Sequence, residues 1–328
     1  MNIGIVGAGK IVKEALPVFE QMQDVTFHSI VSSGRNPQNI ETLQKQYNIK
    51  HAYEDFTQFI TDESLDVIYL AVPNHLHFKF AKLAIEHQKH VICEKPFTLT
   101  KAELQTLQTL SQENNVIIIE AINNLYLNNF ETLKNSLQEI GHCKIVQFNY
   151  SQYSSRYDKF KQGEVQPVFD PDKGGGALMD LNVYNVHLAV GLFGMPLRVT
   201  YFPNIERNID TSGVLILEYE SMKVVCVGAK DSTSPNQSTI QGDVATLQIN
   251  GPTNELNEIE LRYNDGGVQM FKDHQDKHRM YDEFLKITDI LQHKDYTFAQ
   301  QQLEHSINVM EVLELALKSA NIEVGPSI

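Results

Sequence analysis

The opening stretch of the chain, residues 2–12, reads Asn-Ile-Gly-Ile-Val-Gly-Ala-Gly-Lys-Ile-Val. This short apolar run leads directly into a glycine turn, which predicts a strand followed by a helix. Gly7 allows the tight turn because it lacks a Cβ, and Gly9 lets a pyrophosphate approach the backbone at the N-terminus of the next helix. The stretch therefore predicts a dinucleotide site, with Lys10 and Ile11 at the helix start as further contacts.

The glycine motif is incomplete, since Val12 occupies the position of the third glycine in G-x-G-x-x-G. A side chain at that position should hold the helix slightly farther from the strand than in the strict motif. Taken alone, the motif is as compatible with a plain glycine turn as with nucleotide binding. The choice between the two depends on the rest of the chain.

The composition is that of an ordinary globular protein: 328 residues, 42% hydrophobic and 21% charged, enough for two domains with sizeable cores. The net charge of -14 argues against nucleic-acid or anionic-membrane partners, because a surface of that sign repels phosphate groups. Small molecules, or a second copy of the chain, are the expected partners.

The three cysteines, Cys93, Cys143 and Cys226, lie far apart and match neither a disulfide framework nor a zinc pattern. They are expected to be reduced thiols. No basic segment with an apolar core precedes the first strand, and no apolar run approaches the ~20 residues that cross a bilayer. We therefore expect a cytoplasmic protein.

Strands and helices alternate through the first third of the chain. The further strands are predicted at Val25–Val31, Leu65–Val72, His90–Cys93 and Val116–Glu120. The alternation predicts an α/β fold with a doubly wound parallel sheet, and such sheets bind ligands beyond the carboxyl ends of their strands. Gly7, Ser33, Pro73 and Lys95 all fall at those ends.

The end of the second strand bears on the choice of nucleotide. No acidic residue lies between Asp24 and Glu41 to bind a ribose 2′-hydroxyl, and the chain reads Ser32-Ser33-Gly34-Arg35. Hydroxyls and a guanidinium suit a 2′-phosphate, so Ser32, Ser33 and Arg35 predict NADP(H) in preference to NAD(H). The alternative is an ordinary polar turn that accepts either nucleotide.

A different pattern follows Glu120. A helix is predicted over Leu125–Ile140, a strand over Cys143–Tyr153, and a polar loop that could cover a pocket over Ser154–Lys173. The run Gly174-Gly175-Gly176 then opens a helix that reaches about Phe193. In a regular helix Asp180, Tyr184 and His187 would share one face, since they stand at i, i+4 and i+7.

The remainder reads as short alternating strands and two closing helices. The strands are predicted at Leu197–Phe202, Gly213–Glu220, Met222–Lys230, Thr239–Asn250, Glu258–Tyr263 and Val268–Phe271. Turn residues separate them, which predicts a largely antiparallel sheet. With helices at Met280–Gln292 and Phe298–Ala320, we expect a nucleotide-binding domain of residues 1–121 and a substrate domain of residues 122–328.

Three motifs together resemble the Gfo/Idh/MocA family of oxidoreductases. They are Pro-Asn-His-Leu-His at residues 73–77, Lys-His-Val-Ile-Cys-Glu-Lys-Pro at residues 89–96, and three glycines followed by Asp180 and, four positions later, Tyr184. Many relatives have His at the last position. The tyrosine resembles the branch that contains dimeric dihydrodiol dehydrogenase and D-xylose dehydrogenase.

The resemblance implies a Rossmann domain followed by a C-terminal α+β domain, whose open sheet joins a homodimer or homotetramer. It implies an NAD(P)-dependent enzyme acting on sugars, polyols or diols, with Lys95 contacting the nicotinamide ribose and a substrate hydroxyl. Pro73, Asn74, His77 and Glu94 are then expected on the cofactor side. His75 is expected to be a surface residue.

Oxidation of a secondary alcohol needs a hydride acceptor and a base for the hydroxyl proton. Our hypothesis is that Tyr184 exchanges the proton, Lys95 orients and polarises the oxygen, and Asp180 binds a substrate hydroxyl or holds that lysine. An amine from the first half and a phenol from the second would then meet over the nicotinamide. Without the resemblance, a solvated turn at Lys95 and a core tyrosine would be the simpler interpretation.

His187 is an alternative proton partner, although one helical turn deeper it is more typical of a packed imidazole. Asp180 with His187 would give a metal too few ligands, so we expect no metal site. Three positions depart from the dihydrodiol and xylose branch: Leu125 replaces an arginine, Asn128 a proline and Asn182 a glycine. These departures leave open a catalytically silent sensor. A third possibility is a relative that uses the nucleotide transiently to eliminate a glycosidic bond.

Overall fold

The computed structural model describes residues 1–32, 37–272 and 277–323. Contacts divide the chain into two compact units. The first contains Met1–Ala121 and Met280–Ile307, and the second contains Ile122–Arg279 and residues 308–323. The sequence analysis assigned residues 280–307 to the second domain. They belong with the first unit by contact, where Phe284 stacks on Phe19 with ring centroids 3.8 Å apart.

The first unit is built on a six-stranded parallel sheet with the order β3-β2-β1-β4-β5-β6. The order reverses beside β1, which is the switch point of a doubly wound sheet. The predicted fold class is confirmed. The strands are β1 Asn2–Val6, β2 Thr26–Val31, β3 His51–Tyr53, β4 Val67–Leu70, β5 His90–Glu94 and β6 Ile118–Ala121. The three-residue strand β3 was not predicted.

Helices connect these strands, and the central strands are buried because both sheet faces are covered. The helices are α1 Lys10–Phe19, α2 Pro37–Tyr47, α3 Phe56–Ile60, α4 His77–Glu86 and α5 Lys101–Asn114. Helix α5 begins with a capping box in which the Glu103 amide donates to Thr100 Oγ1 at 3.2 Å and the Thr100 amide donates to Glu103 Oε2 at 3.1 Å.

The second unit carries an eight-stranded sheet with the order β14-β13-β12-β11-β7-β10-β9-β8. Every pair is antiparallel except β7 with β10. The strands are β7 Cys143–Ser151, β8 Arg198–Glu206, β9 Ile209–Glu218, β10 Lys223–Ala229, β11 Gln237–Gly242, β12 Ala245–Asn250, β13 Glu258–Tyr263 and β14 Val268–Lys272. This confirms the predicted mostly antiparallel sheet.

One face of this sheet is buried, and α8 contacts its strands β7 and β10. The remaining helices of the chain are α6 Asn128–Ser136, α7 Tyr157–Lys161, α8 Val183–Phe193, α9 Tyr281–His293 and α10 Tyr296–Ser319. One turn of π-helix, Leu178–Asn182, leads directly into α8. A π turn at this position was not predicted.

Three predicted elements of the second unit differ from the structure. The run Thr239–Asn250 is two strands, because the chain reverses between Gly242 and Ala245 to pair β11 with β12. The helix predicted over Leu125–Ile140 is limited to α6. The segment Ser154–Lys173 contains α7 and two 3₁₀ turns, and it buries Tyr157, Phe160 and Phe169 against Ile209. The aromatic side chains give this segment its own small core.

Among the residues described, no helix combines the length and apolar character needed to cross a bilayer. Within the same residues, no group of three or more His, Cys, Asp or Glu side chains is placed to hold a metal ion.

Candidate functional site

The glycine turn lies where the carboxyl ends of β1, β2 and β4 meet. Gly7 has φ +112°, and its amide donates to the Val31 carbonyl at 2.8 Å. A Cβ on Gly7 would stand 2.4 Å from the carbonyl oxygen of Ala71, so any side chain there would collide with the backbone after β4. Position 7 therefore requires glycine for two independent reasons.

Gly9 is the N-cap of α1, and a Cβ built on it has no atom within 4 Å. Its backbone thus borders open space in front of a helix N-terminus, which is the arrangement that binds a phosphate group. Val12, at the third glycine position, is fully buried, so the side chain that replaces glycine there is packed inside the unit. The residues present fit a dinucleotide.

The other predicted nucleotide contacts differ in exposure. Lys10 is exposed, with its Nζ 3.5 Å from Glu14 Oε1 on the next turn of α1, whereas Ile11 is half-buried. Ser32 is half-buried, and its amide donates to the Tyr53 carbonyl at 3.3 Å, which ties the end of β2 to β3. The predicted contacts Ser33 and Arg35 lie outside the described residues.

The turn Glu94-Lys95-Pro96 at the end of β5 is held from beneath by buried side chains. The Tyr69 hydroxyl donates to Glu94 Oε1 at 2.7 Å, and burial together with this carboxylate raises the pKa of Tyr69. On the far side of the turn, the Phe97 amide donates to Glu120 Oε1 at 2.9 Å. Lys95 itself is half-buried. These bonds fix the backbone that carries the lysine.

His77 connects the ends of β4 and β5. Its Nδ1 lies 2.9 Å from the Pro96 carbonyl oxygen, and its Nε2 lies 2.9 Å from that of Val72. The side chain has no exposed surface, and burial lowers its pKa. The ring of His77, which was predicted on the cofactor side, thus contacts backbone carbonyls at the ends of two strands.

Pro73, Asn74 and His75 precede His77 at the end of β4 and differ in burial. Pro73 and Asn74 are half-buried at the start of a 3₁₀ turn, Asn74–Leu76. His75 is only 8% exposed, so its prediction as a surface residue is wrong: the turn directs the ring inward.

Asp210 organises the triple-glycine run in the second unit. Its Oδ2 accepts hydrogen bonds from the Leu178 amide and from the Tyr201 hydroxyl, both at 2.7 Å. Gly176 has φ +112°, and a Cβ on it would stand 2.0 Å from Asp210 Oδ1. The carboxylate thus occupies the space that a side chain at position 176 would need. Sequence reasoning missed Asp210, since it lies on β9, far along the chain.

The buried carboxyl of Asp210 predicts a specific dependence of stability on pH. Burial raises its pKa from 3.8 to about 6. Because the folded-state pKa is the higher one, the protonated group stabilises the fold fully below pH 3.8, and this contribution is lost as the pH rises to about 6. It amounts to about 3 kcal/mol at most.

Denaturant unfolding of the wild type and of Asp210→Asn across that range measures the effect. We expect the free energy of unfolding of the wild type, relative to the variant, to fall as the pH rises. The same difference between the two proteins at every pH would show that Asp210 does not titrate in this window.

Asp180 lies on the π turn and pairs with a buried lysine. Lys230, directly after β10, places its Nζ 2.9 Å from Asp180 Oδ2. The Asp180 side chain is 27% exposed and that of Lys230 is 1% exposed. The sequence analysis considered Lys95 as the lysine that Asp180 holds, and did not single out Lys230. The available signal was a lysine at the end of an otherwise apolar strand.

Tyr184 lies in the first turn of α8 and is 7% exposed. Its ring centroid is 5.6 Å from that of Tyr150 on β7, and its carbonyl oxygen accepts a hydrogen bond from Asn124 Nδ2 at 2.9 Å. His187, one turn deeper, is fully buried. Because the π turn is wider than an α turn, Asp180 is not in register with these two residues as in one continuous α-helix.

One of the three departures from the dihydrodiol and xylose branch, Asn182, has a structural explanation in this unit. Asn182 is fully buried and donates through Nδ2 to the Cys226 carbonyl at 3.3 Å. Gly228 makes room for it, since a Cβ on Gly228 would stand 2.8 Å from Asn182 Cβ. Asn128 is exposed at the start of α6, and Leu125 is half-buried. The asparagine at position 182 is thus accommodated by a glycine on the neighbouring strand.

Comparison with family sequences matches two regions of the chain. Residues 1–122 match the model described as "Oxidoreductase family, NAD-binding Rossmann fold", named for GFO/IDH/MocA, and residues 130–251 match the "GFO/IDH/MocA C-terminal domain".

Among individual proteins, the chain is 30% identical over 323 residues to a scyllo-inositol 2-dehydrogenase (NADP(+)) of Bacillus subtilis, covering 98% of each chain. It is 25% identical over 348 residues to a D-xylose 1-dehydrogenase (NADP(+)) of Haloferax volcanii, covering 100% of this chain and 99% of the relative. A solved structure of a 3-ketoreductase from Actinomadura kijaniata, in complex with NADP and TDP-benzene, superposes with a TM-score of 0.85 at 18% identity, covering 97% of each chain.

Proposed function

The chain belongs to the Gfo/Idh/MocA family of oxidoreductases, and on that premise we propose that it is an NADP(H)-preferring dehydrogenase or reductase. It moves a hydride between the nicotinamide and a secondary alcohol or carbonyl of a polyol, sugar-like or diol substrate. The observation that carries the proposal is that buried hydrogen bonds from Tyr69 and to Glu120 hold the Glu94-Lys95-Pro96 turn. This turn ends β5, which a single strand, β4, separates from β1 and its glycine turn. The named relatives act on inositol and xylose, which supports a polyol or sugar.

Within the first unit, Gly7 and Gly9 seat the pyrophosphate at the N-terminus of α1, with Lys10 and Ile11 beside it. Ser32, Ser33 and Arg35 bind the 2′-phosphate, and Pro73, Asn74 and Glu94 complete the cofactor side. When bound, the nicotinamide accepts or donates the hydride. Side chains of the protein transfer the proton, stabilise the charge on the reacting oxygen and orient the substrate.

Three side chains carry the proton and the substrate. Tyr184 as the phenolate takes the hydroxyl proton during oxidation, and Tyr184 as the phenol returns that proton during reduction. Lys95 hydrogen-bonds the reacting oxygen and stabilises its negative charge. Asp180 accepts a hydrogen bond from a substrate hydroxyl and so fixes the orientation of the ring or chain. The motif residues support these roles.

We also propose a cytoplasmic homodimer or homotetramer that forms through the eight-stranded sheet. The exposed face of that sheet supports the proposal, because Phe202, Val214 and Val227 stand in one row across three adjacent strands and point away from the buried face. Phe202 is 58% exposed. A second copy of the chain would cover this apolar row.

Turnover of a polyol panel with NADP⁺ and NAD⁺ tests the proposed function. The absorbance of the reduced nicotinamide is expected to rise with inositols or pentoses, with kcat/KM about tenfold or more higher for NADP⁺, since charge-assisted bonds hold the 2′-phosphate. A preference for NAD⁺ would contradict the assignment of Ser33 and Arg35.

Two other outcomes would replace the proposal. Product without net change in the nucleotide would indicate transient use of the cofactor in glycosidic bond elimination. Tight nucleotide binding without turnover on any substrate of the panel would indicate a silent sensor.

A further inference from the structure

Lys230 is a lysine that the proposed reaction does not use, and it is 1% exposed. An ammonium group in the interior costs several kcal/mol unless charges and hydrogen-bond acceptors compensate it. Here the Nζ donates to the Val168 carbonyl, lies 2.9 Å from Asp180 Oδ2 and stands 4.3 Å from the centroid of the Phe169 ring. The site around the ammonium is therefore built from a carboxylate, a carbonyl and an aromatic face.

The two partners of the ion pair differ in exposure. The Asp180 side chain is 27% exposed, so its carboxylate is held from inside while part of it remains accessible. The accessible part of this carboxylate can accept a hydrogen bond from a substrate hydroxyl. The geometry is that of a buried cation supporting an accessible acceptor.

We propose that Lys230 is a positioning residue for Asp180: its ammonium group orients the carboxylate toward a substrate hydroxyl. This inference rests on the proposed function, because it gives Lys230 a role through a residue of the proposed site. It also assigns a role to the segment around Val168 and Phe169, which supplies two further contacts of the ammonium. Through its ammonium group, Lys230 connects that segment to the carboxylate of Asp180.

A double-mutant cycle with Asp180→Asn and Lys230→Met tests this role. Each single substitution should lower kcat/KM by about tenfold or more, since each removes the oriented carboxylate or its support. If Lys230 acts only through Asp180, the double variant should fall no more than about threefold below Asp180→Asn. A double variant whose loss equals the product of the two single losses would overturn the proposal.

Lys230→Met leaves the Asp180 carboxylate without its cation, and this variant alone could therefore fail to fold. The experiment still tests the proposal in that case. Asp180→Asn and the double variant, in which the buried ammonium is also removed, are then compared directly. Equal kcat/KM supports the proposal, and a further tenfold fall in the double variant contradicts it. Thermal unfolding and nucleotide Kd report on the fold of each variant.

The matched control is Lys223→Met at the other end of β10, which removes an exposed lysine 3.9 Å from Glu218. We expect it to leave kcat/KM unchanged. The experiment also separates failure of the proposed function from failure of the proposed role of Lys230. Wild-type kcat/KM in Asp180→Asn would show that Asp180 does not act on the substrate, whatever the role of Lys230.

Discussion

Tyr184→Phe is expected to lower kcat by about 10²–10⁴-fold, the range that a positioned acid–base group supplies. The substitution removes one oxygen and keeps the ring, so the packing against Tyr150 at 5.6 Å is retained. The nucleotide Kd should stay within about a factor of two, since the phenol acts on the substrate proton and not on the cofactor. Steady-state kinetics in both directions, with nucleotide binding by fluorescence titration, measure both quantities.

Tyr150→Phe is the matched control for this prediction. It removes a hydroxyl from the adjacent ring on β7, which has no assigned role in proton transfer. An equal loss of kcat in both variants would show that the effect is not specific to Tyr184. Unchanged kcat in Tyr184→Phe would reject the phenol as the proton carrier, and His187→Gln would then be the next variant to measure.

Lys95→Met is expected to lower kcat/KM by about 10²–10³-fold, comparable to the loss of one preorganised donor to a developing oxyanion. Methionine keeps most of the side-chain length and removes the charge, while the bonds from Tyr69 to Glu94 and from Phe97 to Glu120 continue to hold the turn. The melting temperature should therefore change little.

Lys79→Met is the control for the Lys95 variant. Lys79 is exposed on α4, so the same change of charge in the same unit should leave kcat/KM unchanged. A Lys95→Met enzyme with wild-type turnover would contradict the role of this amine, and a parallel loss in Lys79→Met would indicate a long-range effect of net charge.

The fold could be predicted from the sequence because its signals are local. The glycine turn at Gly7, the buried apolar strands and the capping box at Thr100 each depend on residues a few positions apart, and each is present in the structure. Strand β3 was missed because it has only three residues. The hairpin between β11 and β12 carries a turn signal, Gly242-Asp243, but the alternating pattern on both sides was interpreted as one strand.

The supporting residues of the site could not be predicted, because their partners are distant in sequence. Asp210 caps the turn at Leu178 from 32 positions away, and Lys230 reaches Asp180 from the end of β10, the third strand further along the chain. Neither pairing leaves a spacing pattern in the sequence. Burial of a charged side chain is decided by the tertiary fold, and only the structure shows which carboxylate compensates which lysine.

The burial of His75 likewise could not be predicted, because it depends on the backbone conformation. A histidine next to a proline in a polar turn reads as exposed, but the 3₁₀ turn at Asn74–Leu76 directs the ring into the unit. His77, four positions from Pro73, is committed to two backbone carbonyls. The histidines at positions 75 and 77 indicated a functional strand end. Only the backbone conformation shows that both rings are buried.

The central claim is that the amine of Lys95 and the phenol of Tyr184 act on one substrate oxygen. The most direct measurement is a crystal structure of the complex with NADP⁺ and the best polyol from the panel, from which the distances of the reacting oxygen to Lys95 Nζ and Tyr184 Oη are read. We predict that both distances lie within hydrogen-bond reach, about 2.6–3.2 Å. A complex in which only one of the two groups reaches that oxygen, while the other contacts neither substrate nor an intervening water, would contradict it.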